Sequence, residues 1–490
     1  MGEMEYLIGV DVGTTNVKAI AVASDGSLAA QAERRTRTLT PGPGAAEQFP
    51  PAVFRRVVEV VREVVVARAH FAKPAGLGFS GAMHSLIAQD GRGRCLTNAW
   101  LWSDRRAADF YRSLRASKAG REIYRRTGTP IHPMSPLVKL LGLKASYPEV
   151  FSKARLYLGL KDYVLQRLLG EKICDASLAS TTGLLNTVSG EWDRMALGAA
   201  GITADLLPRV VSPADVFCLP PASAALLGLP AGLPVVPGAS DGALANIGSG
   251  AEGPDKLAMT IGTSAALRLT LGSPVLDPEG RTFCYRLDDE RFIAGGASNN
   301  GGNILDWLRR EIFRSRQPVS RLLEEAFLVG PGSDGLLFVP YLYGERAPVW
   351  DTDAVGVCRG LTGRHGRGHL ARAAVEGVVL NLRMIAEALP QWENCRSIAL
   401  SGGAAQNPLW QRVAADVFDR PVEVPSPDAA DASAFGAVMM AREALGLEPL
   451  PPPEPVLVLE PHPANVVTYR DVWKRFALLT VIFQSPARAR

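Results

Sequence analysis

Two stretches of like makeup stand far apart in this chain. In the first, Ile8 to Val22, an apolar strand carrying Asp11 runs into Gly13-Thr14-Thr15 and returns through Lys18. In the second, Met259 to Thr270, a strand meets Gly262-Thr263-Ser264 and turns back. Glycine and hydroxyl residues at such a corner leave backbone N–H groups facing an anion. A strand-end carboxylate beside it suits Mg²⁺ or its waters, and Lys18 suits phosphate oxygens. The pair predicts a nucleotide gripped from two sides and hints at a duplicated domain. Neither the P-loop pattern nor a Gly-x-Gly-x-x-Gly run occurs in its strand-to-helix setting, so those nucleotide sites are not supported.

A second carboxylate, Asp241, lies in Gly238-Ala-Ser-Asp-Gly-Ala243 behind an apolar strand. Phosphoryl transfer to an alcohol needs a base in line with the γ-phosphate, and an aspartate on a cleft wall can serve. An Asp-Gly turn satisfied by its own backbone is the plain alternative. For the acceptor, Gly81-Ala-Met-His-Ser85 offers Met83 and His84, and Trp100-Leu-Trp-Ser-Asp-Arg-Arg106 offers Trp102, Asp104 and Arg106. A flat apolar surface flanked by polar and charged groups recognises sugars and sugar acids. The same residues also suit a core tryptophan, a surface ion pair and a structural histidine.

Positioning these groups requires an α/β chain. Residues 6–11, 17–23 and 28–33 read as a three-strand meander, with Ser24-Asp25-Gly26 as its second turn. Valines at 57, 58, 61, 64 and 65 mark a helix over 52–69. A buried strand follows at 77–80, with helices at 104–117 and 161–169. The strand at 234–236 empties into the Asp241 segment, and the domain junction is expected just after it. The second half restarts with the hairpin at 257–270, passes through Gly301-Gly302 into a helix over 304–313, and later runs a strand at 397–400 into Ser401-Gly402-Gly403. A Pro-rich connector over 450–463 leads to a tail with Tyr469, Trp473 and Phe476 at helical spacing, suited to docking on its own chain or in a homodimer. The expected domains are 1–242, 243–447 and the tail 448–490.

A chain of 490 residues exceeds what one hydrophobic core usually serves. With 47% apolar and 21% charged residues it has the balance of a globular protein. A net charge of +4 with scattered arginines gives no footprint for nucleic acid. The six cysteines form no Cys-x-x-Cys pair, against a zinc site or a secreted disulfide framework. Residues 1–6 lack the makeup of a signal peptide and 476–483 is too short to span a bilayer, so a cytoplasmic protein without a membrane partner is expected.

Together these motifs resemble the FGGY family of carbohydrate kinases over roughly residues 5 to 445. One family signature is matched by Gly356-Val-Cys-Arg-Gly-Leu361, seven residues, and His369-Leu-Ala-Arg-Ala-Ala-Val-Glu376, departing at Cys358. Another begins well at Met134-Ser-Pro-Leu-Val-Lys139 but has Gly142 where a Trp is typical. The resemblance implies two ribonuclease-H-like (actin-like ATPase) domains around a nucleotide and sugar cleft, with ATP and Mg²⁺. It implies Asp241 as general base, Asp11 at the metal, and Gly13, Thr14, Thr15 and Lys18 on the phosphates. Gly262 and Thr263 would form the opposing hairpin, Gly302 a nucleotide contact, and Gly403 with Asn407 the adenosine pocket. Met83, His84, Trp102, Asp104 and Arg106 fall on sugar-side positions. The phrases at 80–87, 128–136 and 340–351 are most similar to members that phosphorylate D-gluconate. Its carboxylate would need a cation, among His84, His132, Lys139, Arg106 and Arg346. A ketose kinase such as one for xylulose is the rival within the family, and an actin-like or chaperone-like ATPase the rival outside it.

Overall fold

The computed structural model describes residues 5–68, 73–426 and 431–483. Two sheets organise the chain, and they are built alike. The first, of six strands, runs Phe217–Cys218, Pro234–Ser240, Lys73–Gly81, Glu5–Val12, Asn16–Ala23, Leu28–Arg35 across its width. The second, of seven, runs Phe283–Arg286, Phe292–Ser298, Ala265–Leu271, Lys256–Ile261, Ser397–Ser401, Val422–Val424, Leu457–Leu459. In each, an antiparallel three-strand meander is followed by two strands parallel to its first. The duplication hinted at by the two corners is therefore a duplication of sheet topology.

Strand Glu5–Val12 is buried almost throughout because both sheet faces are covered. Helix Pro50–Arg68 lies on one face, through Val53, Val57, Val60, Val61 and Val64, with Val58 and Val65 only half-buried. Residue 69 of the expected helix, and residues 1–4 of the N-terminal reading, lie outside the described residues. Helix Ala432–Ala444 covers the other face, laying the second half of the chain against the first sheet. It also crosses helix Asp241–Gly248 at backbone contact. A Cβ on Gly248 would stand 2.0 Å from the Ala432 carbonyl oxygen, and one on Gly436 would stand 2.0 Å from that of Leu244.

Inserted in the chain between strands Lys73–Gly81 and Pro234–Ser240 is a largely helical region with its own core, including Trp100, Tyr111, Ile123, Leu137 and Leu140. Gly142 belongs here: a Cβ on it would come within 2.8 Å of the Ala107 Cβ, so a Trp at this position is excluded by the approach of residues 107–110. Two helix expectations change. The helix expected from 104 begins at Ala108, because Asp104 accepts the Ala46 and Arg106 N–H groups and holds residues 101–106 as a turn. The helix expected over 304–313 is α-helical only at Asn303–Trp307 and continues as one wide turn, closed by a bond from Phe313 N–H to the Leu308 carbonyl (2.8 Å).

The Pro-rich connector contains strand Leu457–Leu459, which extends the second sheet. Tail helix Pro463–Phe483 docks on its own chain, burying Tyr469, Val472, Phe476 and Leu479. Its Tyr469 hydroxyl reaches Glu376 (2.8 Å), which also accepts from Arg372 Nε, the Gly332 N–H and Ser333 Oγ, each at 2.9 Å. The Arg372 and Glu376 of the 356–376 signature thus hold a loop and the tail rather than a ligand.

Candidate active site

Each sheet ends its first strand at a glycine corner, and the two corners face a shared cleft. Asp11 precedes the first and accepts a bond from Ser80 Oγ on the neighbouring parallel strand (2.6 Å). Thr260 occupies the matching place in the second sheet, with Ser401 Oγ at 2.9 Å. The first corner is tied down by Thr36 and Gln48, which both donate to the Thr14 carbonyl. The second is tied by the Gly302 and Asn303 N–H groups, which donate to Gly262 and Thr263. Gly301 is required there: a Cβ would lie 2.6 Å from the Ser264 carbonyl carbon.

A cavity of about 650 Å³ opens between the corners, lined by Thr14, Thr15, Gly262 and Thr263 on one side and by Met83, His84, Trp102 and His132 on the other. Asp241, Arg268 and Arg346 stand in its wall. A second recess of about 300 Å³ lies between Ser249, Gly402, Gln406 and Asp431, and Thr260 lines both spaces. The two spaces therefore adjoin at Thr260.

The sugar-side wall is neutral at its histidines. His84 sits in the left-handed region (φ 69°), pinned by Lys139 Nζ on its carbonyl (2.5 Å) and by the Thr181 carbonyl at its Nδ1 (2.9 Å). A carbonyl only accepts, so the proton is on Nδ1 and Nε2 offers a lone pair. Burial and the Lys139 charge push its pKa down to about 3. Lys139 is fully buried and spends itself on the carbonyls of His84, Trp100 and Leu101, with burial lowering it to about 7. Asp104 lines the cavity, but its oxygens are taken by Ala46 and Arg106. Arg106 is not in the lining: it lies 3.9 Å over the Trp100 ring, shared by Glu47 (2.6 Å) and Asp104 (2.7 Å).

Carboxylates crowd the opposite end. Asp11 is pushed up to about 8 by its removal from water and by the charges of Asp431 and Asp241, against the opposing effects of Ser80 and Lys18. Asp241 opens helix Asp241–Gly248 and accepts the Gly242 N–H (2.7 Å). Burial raises its pKa, and the neighbouring Arg268 opposes that. Gly242 makes this neighbourhood possible, since a Cβ there would stand 2.8 Å from Arg268 Nε. Mutually repelling carboxylates are the donor chemistry of a hard divalent cation. No group of three or more His, Cys, Asp or Glu among the described residues encloses an ion. A metal at Asp11 would therefore complete its shell with water and phosphate oxygens.

Of the remaining expected contacts, Lys18 is paired with Asp431 (2.8 Å), bridging the halves of the molecule. Gly13, Gly302 and Gly403 are backbone supports outside the cavity lining, Gly403 in the turn beside the recess. Asn407 caps helix Pro408–Phe418 through the Leu409 and Trp410 N–H groups, while its neighbour Gln406 faces the recess. Sequence reasoning passed over Arg268, Asp431 and Glu345. Arg268 was visible as the lone charge in the all-buried strand Ala265–Leu271. Glu345 is buried and accepts from Ser298, Asn299, Asn300 and Arg346, with burial raising it to about 7.

A duplicated sheet whose paired corners and facing carboxylates enclose adjoining spaces for a phosphorylated nucleotide and a polyhydroxylated acceptor defines a two-domain sugar phosphotransferase. The chain belongs to the FGGY family of carbohydrate kinases, matching the N-terminal domain of that family over residues 6–248 and the C-terminal domain over 257–445. It is 37% identical over 454 residues to a gluconokinase of Bacillus licheniformis and 38% identical over 455 to that of Bacillus subtilis (strain 168), in each case covering 90% of this chain and 88% of the relative. A xylulose kinase of the same Bacillus subtilis strain is 32% identical over 444 residues, covering 89% of both chains. The crystal structure of a gluconate kinase from Lactobacillus acidophilus superposes with a TM-score of 0.92 at 32% identity, over 99% of each chain. The protein is an ATP-dependent carbohydrate kinase.

Proposed function

We propose that this enzyme transfers the γ-phosphoryl group of ATP to the C6 hydroxyl of D-gluconate, giving 6-phosphogluconate and ADP. The observation that carries the reading is the shared cavity, whose wall holds Asp241 together with the Gly262–Ser264 corner and with His84 and Trp102. Similarity to two gluconokinases supports the choice of acceptor. Asp241 takes the proton of the C6 hydroxyl as that oxygen bonds to the γ-phosphorus and the β–γ bridging bond breaks. Arg268 beside it favours the ionised carboxylate and faces the transferring group. His84 Nε2 accepts from a sugar hydroxyl, and Trp102 offers a flat face. Corner N–H groups at 13–15 and 263–264 cradle the phosphates, with the adenosine end in the Gly402–Gln406 recess. Mg²⁺, held at Asp11 with water and phosphate oxygens, would neutralise phosphate charge.

ATP and a sugar acid as substrates fit a cytoplasmic enzyme. No helix among the described residues is long and apolar enough to cross a membrane. The test is a panel of sugars and sugar acids with coupled ADP detection. The reading expects the highest kcat/KM on D-gluconate. A maximum on xylulose would transfer the chain to the ketose kinases, and ATP turnover indifferent to every sugar would point to an actin-like ATPase.

A further inference from the structure

Four buried polar groups lack a hydrogen-bond partner, three of them in the cavity wall, Nε of Arg268, Nε of Arg346 and Nε2 of His132, with the Tyr285 hydroxyl as the fourth. Three of the four can only donate. His132 accepts the Met134 N–H at Nδ1 (3.2 Å), and burial and the Arg346 charge hold it neutral, so its proton is on Nε2. Both His132 and Arg346 are more than nine-tenths buried. Donors left unpaired in a closed wall are costly unless a ligand satisfies them.

Resting on the gluconate reading, we propose that Arg346, with the Nε2–H of His132 beside it, is the seat of the substrate's carboxylate. The other cations are engaged elsewhere: Lys139 on three carbonyls, Arg106 on Asp104 and Glu47, and the exposed Arg105 of the lining on the Thr352 carbonyl (2.5 Å), while His84 is a neutral acceptor. Arg268 stands against Gly242 beside Asp241, at the end where the hydroxyl reacts. The carboxylate lies at the opposite end of a six-carbon chain and cannot share that place. Arg346 lies 4.6 Å over the Trp102 ring, on the other wall, fixed by one Nη2 bond to the Ser298 carbonyl (2.9 Å). Lowered to about 10 by burial, it still carries its charge at neutral pH. It has no carboxylate in ion-pair reach among the described residues. Its neighbour Glu345 gives its oxygens to Ser298, Asn299, Asn300 and the Arg346 backbone N–H. The guanidinium is thus positioned with its counter-charge left for the substrate.

The test compares D-gluconate with its neutral isostere D-gluconamide as acceptors. Wild type should prefer the acid by on the order of 100-fold in kcat/KM. Arg346→Gln should bring the two within a few-fold, losing kcat/KM on gluconate far more than on the amide, and Arg346→Lys should restore part of the preference. His132→Phe should cost the preference roughly tenfold, which serves if Arg346→Gln does not fold. Arg268→Met should lower kcat on both acceptors alike. An intact preference in the Arg346 and His132 variants, or its loss in Arg268→Met alone, overturns the proposal while leaving gluconate as substrate. Wild type inactive on gluconate would instead sink the function reading itself.

Discussion

The two corners occupy the same place in two sheets of the same topology, yet only one is charged. Ser80 reaches Asp11 in the first sheet just as Ser401 reaches Thr260 in the second. The scaffold was duplicated together with its hydrogen bond, and one aspartate separates the two uses. With Asp11, Asp241 and Asp431 near one another, the first corner concentrates negative charge, the donor chemistry of a hard cation. With a threonine, the second is a neutral backbone cradle, shaped by Gly301 and Gly302. A pair of carboxylates adds to the charge, since Asp241 begins one of the two crossing helices and Asp431 caps the other.

The asymmetry can be broken by substitution. Asp241→Asn should reduce kcat by roughly 10³-fold with ATP binding retained, measured by coupled ADP release and by nucleotide-induced thermal shift. Asp11→Asn should weaken Mg²⁺-dependent turnover roughly 100-fold, whereas Thr260→Val at the matching place should cost less than about tenfold. Equal losses at the two positions would remove the distinction. Gly301→Ala should raise the KM for ATP through displacement of the second corner, leaving the KM for the acceptor unchanged.

Stability should show the same difference with the opposite sign. The folded-state pKa of Asp11, about 8, lies above its ordinary value of 3.8. Its favourable contribution is therefore complete below about pH 4 and is lost as pH rises through 8. In Mg²⁺-free buffer at pH 8, Asp11→Asn should melt a few degrees above wild type, a gap that closes toward pH 4. Thr260→Val should show no such pH dependence. The smallest effect is expected far from the cleft, where Tyr469→Phe should cost about 1 kcal/mol in denaturant melts without altering kcat.

What was legible in the sequence was what glycine and strand pattern encode locally. The corners at 13–15 and 262–264, the Asp241 segment and the alternation of strands and helices are short-range features, and the sheets formed around them. Long-range charge pairing was not legible. Asp104 and Arg106 look like a ligand-facing pair in sequence, but Glu47 and the Ala46 N–H, from a distant loop, engage them. Asn407, expected at the adenosine pocket, has its side-chain oxygen engaged as a helix cap, because Pro408 starts a helix behind it. Conversely, Arg268 is legible as a lone charge in an apolar strand, but the space that Gly242 leaves for it is a long-range feature.

The bond from Tyr469 to Glu376 also has a consequence for biosynthesis. Glu376 and Arg372 are translated almost a hundred residues before the hydroxyl that completes their network. A nascent chain lacking the tail carries an incompletely satisfied ionic cluster and an uncovered apolar face on its second domain. The order of synthesis thus makes this helix a checkpoint: a chain that has gained it is distinguishable, to a protease or a chaperone, from one cut off before it.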